Sequence, residues 1–556
     1  YSLACVTYEM LAGHPPFLGG TAREVIARHT LDPVPPLRAA RPVVPAAVEQ
    51  AIGRALAKVP ADRFATAYQF AHALTASLPA GEPPPATPPV TSIAVLPFLF
   101  LSELEASQAL SLGFADALIT ILGSLEDVVV LPTSAILKYA PGSDAARACR
   151  DLGVRHILQG NIQKAGTRWR VSIQLFDAVT QRMVLSENQD FQRDSVFEVQ
   201  DEIGRRVVAS LHSRFLLDAP KSRDRYSSDP EAYEQFMFGL RESYADQPET
   251  LERAIGHLSA AVVRDPEFAL AHAWLSYVSM NMHFSFDPQR TRLETAEYHC
   301  RQALMLDSAL PEGHLARAWI LWSAAKNFQH ADAIAALEQV LAGRPNLEQA
   351  HNRMAAICLH IGRLQEARVA HERAQRSNPR TRSLNLEFCY VYSGDFARAE
   401  EALATVVRER PGTMYAVYGH AYVPLLAGDL DLAEQRLAAA LGQLADEPLI
   451  VSLQGLLHAR RNQTDLASQC VRRALDSPRS FGHNHHTYYQ VAGVYAVLGD
   501  TDKALGWLER TVDAGFACWP FFRVDPHLAS LRGEPAFERL VADLERKFAA
   551  IEMRRL

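Results

Sequence analysis

From residue 254 onward a small side chain keeps returning. Alanine stands at Ala254, Ala296, Ala333, Ala367, Ala399, Ala433, Ala467 and Ala504, at intervals of 42, 37, 34, 32, 34, 34 and 37 residues. Other residue types keep step with it. Pro266, Pro345, Pro379 and Pro411 follow four of these alanines by twelve positions, and Gly362, Gly394, Gly428, Asn462 and Gly499 precede others by five. Leu258, Leu337, Leu403, Leu437, Val471 and Leu508 come four later. A period near 34 has room for two short helices and two tight turns. One such hairpin cannot bury its own apolar face, so the copies must stack into a solenoid. The alanine lets the second helix of each copy approach the first, the glycine turns the chain, and the proline stops the second helix.

The pattern resembles the tetratricopeptide repeat, in about eight copies over roughly residues 230–520, within a helical region 226–550 that ends in a C-terminal cap. Two features depart from it: the longer early intervals, and Glu387 at a first-helix site that is usually small. Counting back from each alanine assigns the inward face of the first helices. It comprises Thr381, Leu384, Phe388 and Val391, then Tyr415, Tyr418, Tyr422 and Leu425, then His486 and Tyr489. An aromatic, weakly charged groove of this kind suits a protein or an extended peptide, and we expect Leu384, Phe388, Tyr415, Tyr418, Tyr422 and Tyr489 to line it. Asn352 alone matches the polar set that grips a peptide carboxylate in this family. The competing expectation is that these rings pack between repeats.

The first part of the chain is different. Residues 79–91 hold six prolines in thirteen positions, an extended linker that forms neither helix nor sheet. Over 92–217 short apolar runs at Ser92–Phe98, Val128–Leu131, His156–Gln163, Trp169–Asp177 and Met183–Asn188 read as strands. Trp169, Val171, Ile173 and Leu175 alternate with polar residues, the period of a half-buried strand. Helices over Ser107–Leu125 and Ser195–Leu211, a further helix between Val128–Leu131 and His156–Gln163, and a turn at Lys164–Thr167 complete a β-α-β-α-β-β-β-α order. The strings SIAVLPF, GFADAL, DLGVRHILQGNIQKAGTRWRVSIQLFDAVT and VFEVQDEIGRRV resemble the TolB amino-terminal-like domain, although Leu185-Ser186-Glu187 stands where that family carries an aromatic. The expected fold is therefore mainly α: a tetratricopeptide-repeat α-solenoid after a small α+β domain.

Residues 1–78 read as helices broken by proline-rich loops. YSLACVTYEMLAGHPPF and the later ADRF string resemble the end of a bacterial serine/threonine protein kinase C-lobe. That resemblance implies a buried ion pair between Arg63 and a glutamate of the activation segment, which this chain does not contain. Phosphoryl transfer needs a Gly-rich loop, a strand lysine, a catalytic Asp and a metal-binding D-F-G, and none occurs here. ATP and Mg²⁺ are expected only for a complete kinase, and no cofactor for this chain. The opening at Tyr1, inside an apolar run, reads as a fragment, with Leu3, Val6, Met10 and Leu11 left uncovered.

Composition removes other classes. The chain of 556 residues has a net charge of −7, so it lacks the basic excess of a nucleic-acid binder. Seven scattered cysteines without a C-x-x-C pair argue against a zinc ribbon or a disulfide framework and for the cytoplasm. No apolar run is long enough to span a membrane. His483, His485 and His486 read as a solvated helix start, not a metal site. Asp116 reads as an exposed polar residue, and Asp201–Glu202 with Arg205–Arg206 as surface ion pairs. The expected function is the regulatory or scaffolding part of a bacterial serine/threonine kinase, with repeats that recruit a partner or substrate. The alternatives are an active kinase once upstream sequence is restored, and a stand-alone scaffold.

Overall fold

In the computed structural model the chain divides into two units, Tyr1–Pro88 and Pro89–Leu556. The structure describes residues 1–41, 44–59, 62–64, 69–70, 73–74, 92–101, 107–123, 128–165, 168–192, 199, 203, 206, 227, 229–244, 247–378, 381, 383–477 and 484–554. The expected linker 79–91, nearly all of the helix expected at 195–211, the Gly166-Thr167 turn and His483 lie outside them.

The larger unit is dominated by eight antiparallel helix pairs, from Pro230–Ser243 with Pro248–Arg264 to Asn484–Val497 with Thr501–Asp513. Each of the eight spaced alanines is fully buried, and the apolar residue four positions on is buried beside it at Leu258, Leu337, Leu403, Leu437, Val471 and Leu508. The turn residues behave as their chemistry demands. Gly362, Gly394, Gly428, Asn462 and Gly499 all have positive φ, between 59° and 85°. This left-handed conformation costs glycine little and asparagine less than most residues. The repeats form a mainly α solenoid.

Ahead of them lies a mixed sheet. Strands β1 (Ser92–Val95), β2 (Leu99–Phe100), β3 (Val129–Val130), β4 (His156–Ala165), β5 (Arg168–Asp177) and β6 (Arg182–Gln192) assemble in the order β3-β1-β4-β5-β6, with β2 beside β4. β1 pairs in parallel with β3 and β4, and the β4-β5-β6 meander is antiparallel. Along β5 Trp169, Val171, Ile173 and Leu175 are buried, as the alternation requires. Missed from the sequence was β2, only two residues long.

Sheet and solenoid share one core. Ile93, Leu118 and Leu158 belong to the same apolar cluster as Tyr233, Phe236 and Leu258 of the first repeat. Gly113 makes the close approach possible, since a Cβ there would lie 2.1 Å from the Tyr233 hydroxyl. Farther along, Asn346 Nδ2 donates to the Val128 carbonyl at 3.0 Å. Asp116 is not the exposed residue expected: it is half-buried and accepts a 2.6 Å hydrogen bond from Thr133.

In the smaller unit, helix Ser2–Ala12 buries Ala4 and Tyr8 against Leu37, Ile52 and Leu56. Leu3, Val6 and Met10 on its other side are exposed, by 77 % at Met10, while Leu11 is half-buried. Arg63 donates to the carbonyls of Ala57 (2.7 Å) and Lys58 (3.0 Å) and lies over the Tyr1 ring.

Candidate protein-binding surface

The spacing assigns the aromatic residues of the first helices to one inward face. What the spacing does not reveal is that the chain itself returns across them. After the eighth repeat, Gly515 reverses the backbone at φ 99°, and helix Trp519–Val524 and the 3-10 turn Pro526–Leu531 lie against helices Asn385–Ser393 and Asn484–Val497. Phe516, Phe521, Phe522, Leu528 and Leu531 of this return are buried.

The open strip expected at Phe388, Tyr418, Tyr422 and Tyr489 is therefore filled. Tyr418, Tyr422 and Tyr489 are each at most 2 % exposed, and Phe388 is buried with them. Tyr489 stacks on Phe522 at 5.4 Å between centroids, and Tyr392 tilts against Phe521 at 4.8 Å. Burial on this scale needs the polar ends paired. The Tyr422 and Tyr489 hydroxyls both donate to Asp525 Oδ2, at 3.0 and 2.7 Å, and Gln490 Nε2 donates to the Tyr418 hydroxyl at 2.8 Å. Burial by itself would raise the Asp525 carboxyl. The His527 imidazole and the hydrogen bonds from His527 and Tyr489 outweigh it and hold the carboxyl below its ordinary range.

The remaining expected site residues are half-buried. Leu384 and Tyr415 pack against the same core. Asn352 is committed elsewhere: its Nδ2 donates to Glu348 Oε1 at 3.0 Å and to Thr381 at 2.9 Å. Glu348 also accepts from Asn378 at 2.7 Å, and burial pushes its carboxyl up. This knot of side chains ties the fourth repeat together instead of facing a peptide terminus.

His485 and His486 require a second correction. They are buried, not solvated, because the returning segment covers them: Phe516 packs on both rings, and His485 Nδ1 lies 2.8 Å from the Ala514 carbonyl. His360, 125 positions before His485, joins them.

An accessible aromatic cleft does exist at the junction of the seventh and eighth repeats. It is an open depression of about 640 Å³ lined by Leu475, Tyr488, Trp507, Arg510, Asp513 and Ala514. Tyr488 lies 5.5 Å from Trp507, whose other neighbour is the Arg510 guanidinium at 4.8 Å. Sequence reasoning passed over these residues, although Trp507 and Arg510 stand three and six positions after Ala504 on one helix. The cysteines offer no competing chemistry: burial pushes the Cys149 and Cys389 thiols up to about 12 and Cys300 to about 11.

Comparison with known proteins adds five likenesses. Residues 90–206 match the second domain of the HilA/YgeH-like transcriptional regulators, and residues 390–448 match the tetratricopeptide repeat. The chain is 29 % identical over 239 residues to a putative adenylate cyclase 3 of Rhizobium meliloti, covering 41 % of this chain and 40 % of that protein. It is 40 % identical over 73 residues to the serine/threonine-protein kinase PknH of Mycobacterium tuberculosis, covering 13 % of this chain and 12 % of the kinase. The chain thus spans well under half the length of these curated relatives. A tetratricopeptide repeat protein from Parabacteroides merdae aligns with 44 % of this chain and 94 % of its own, at 14 % identity and a TM-score of 0.34. The tetratricopeptide likeness covers residues 390–448 of the solenoid, and among the described residues no helix is long and apolar enough to cross a membrane.

Proposed function

We propose that this chain is the regulatory, partner-recruiting part of a bacterial cytoplasmic serine/threonine protein kinase. In this reading residues 1–78 are the end of the kinase C-lobe, 79–91 a linker, 92–217 a TolB amino-terminal-like domain and 226–550 the recruiting solenoid. The observation that carries it is the kinase likeness over 73 residues on the same polypeptide as a tetratricopeptide solenoid. Partners bind the cleft around Trp507, since the aromatic face of the first helices is occupied by residues 515–531. The middle domain, packed on the first repeat, sets the solenoid's orientation. The test joins this chain to a catalytic region. Removing residues 226–550 should leave phosphorylation of a generic basic acceptor intact and lower that of native partners at least tenfold. Unchanged partner phosphorylation defeats the reading.

A second reading has its own support. The likeness to the putative adenylate cyclase 3 is longer than the kinase likeness, 239 residues against 73. A recruiting module of this kind serves more than one output domain, and on its own it acts as a scaffold. Grafting residues 92–556 onto a cyclase domain should then confer partner dependence on cyclic-AMP synthesis.

A further inference from the structure

We propose that His360, His485 and His486 form a buried three-imidazole site for one d10 transition-metal ion, Zn²⁺ or Cu⁺. His360 closes helix Glu348–His360 of the fourth repeat, and the other two open helix Asn484–Val497 of the eighth. One ring nitrogen from each lies within 4.8 Å of the others, and all three residues are buried. Points no farther apart than this fit within about 2.8 Å of a common centre, so rotations that draw each nitrogen in by about 0.7 Å reach the 2.0–2.1 Å of a metal–imidazole bond.

The surroundings suit ligation. His360 Nδ1 lies 2.7 Å from the Ala356 carbonyl, and His485 Nδ1 lies 2.8 Å from that of Ala514. A carbonyl can only accept, so both rings carry their proton on Nδ1 and their lone pair on Nε2. This is the backbone pairing that fixes tautomer and orientation in metal-bound histidines.

The walls narrow the choice of ion. Phe516 lies 4.9–6.0 Å from all three rings, and Trp322 lies 5.1 Å from His360. Three imidazoles without a thiolate suit zinc and copper. The ion would staple the fourth repeat to the eighth.

The test uses the whole chain, stripped with chelator and then dialysed against Zn²⁺, or against Cu⁺ without oxygen. We expect one equivalent bound from one of the two arms, with X-ray absorption showing three nitrogen neighbours and no sulfur. His485→Gln and His360→Gln should each weaken binding at least tenfold, and His458→Gln, half-buried and outside the cluster, should not. Wild type retaining under a tenth of an equivalent of either ion overturns the site. So does undiminished binding by folded His485→Gln, or a sulfur-containing shell in wild type. If the glutamine variants unfold, the absorption spectrum of wild type decides alone.

Discussion

Tyr489 donates its hydroxyl to Asp525 Oδ2 at 2.7 Å, across 36 residues of sequence, with both side chains sealed from solvent. Tyr422 of the sixth repeat donates to the same oxygen. One carboxylate thereby pins the returning C-terminal segment to two different repeats. A hydrogen bond to a charged group contributes about 1.5–3 kcal/mol, and stranding a buried charge costs more.

Replacing Tyr489 with Phe should therefore lower unfolding free energy by about 1.5–3 kcal/mol in a urea titration. Tyr418→Ala and Tyr422→Ala should each cost about 3–5 kcal/mol, because they open cavities in a filled core and not a free groove. Variants as stable as wild type would show that the aromatic face is open after all.

Acid should destabilise the solenoid in a definite window. Burial holds His330, His351 and His360 at about 4, against 6.5 for an ordinary imidazole. Between those values the unfolded chain binds more protons than the folded one, so stability falls as pH drops from about 6.5 to about 4. Asp525 is depressed, so its contribution goes last, as pH falls through the folded carboxyl's own range. Melting temperatures from pH 7.5 to 4 should trace this slope, and His351→Gln should flatten it. A temperature that stays level across the window contradicts the neutral, buried imidazoles.

Two glycines should respond with opposite signs. Gly428 turns the sixth repeat at φ 85°, so Gly428→Ala should destabilise by about 1 kcal/mol. Gly256 lies inside helix Pro248–Arg264 with open space where a Cβ would go, so Gly256→Ala should stabilise by about 0.5–1 kcal/mol. Denaturant midpoints compare the two directly.

These cases show how far the sequence could be read. Ala433 buries against its own hairpin and Gly428 turns it, and both lie within one 34-residue period. Such local demands leave a pattern. The meeting of Phe521 with Tyr392, or of His360 with His485, depends on how successive repeats stack over a hundred residues, and no short-range period encodes that. The return also breaks register: Trp519-Pro520-Phe521-Phe522 belongs to no repeat, and its density of rings was the one available signal. Inward positions were thus legible, while their occupant was not. The cleft at Trp507 escaped because its residues come from three different helices.

Without the phosphate- and metal-binding elements of a kinase, this chain should transfer no phosphate by itself. Incubation with labelled ATP, Mg²⁺ and a basic acceptor should give no more incorporation than a heat-killed control. Incorporation above that control would place phosphotransfer in residues now assigned to recruitment.

The recruiting role is tested most directly by quantitative co-purification from the source cell with wild type and Trp507→Ala/Arg510→Ala. Both should show the same helix content by circular dichroism. Because interface Trp and Arg residues commonly contribute 2 kcal/mol or more, the double variant should retain about a tenth or less of each wild-type partner. Equal capture by a folded variant, or no specific partner for wild type, would contradict recruitment through this cleft.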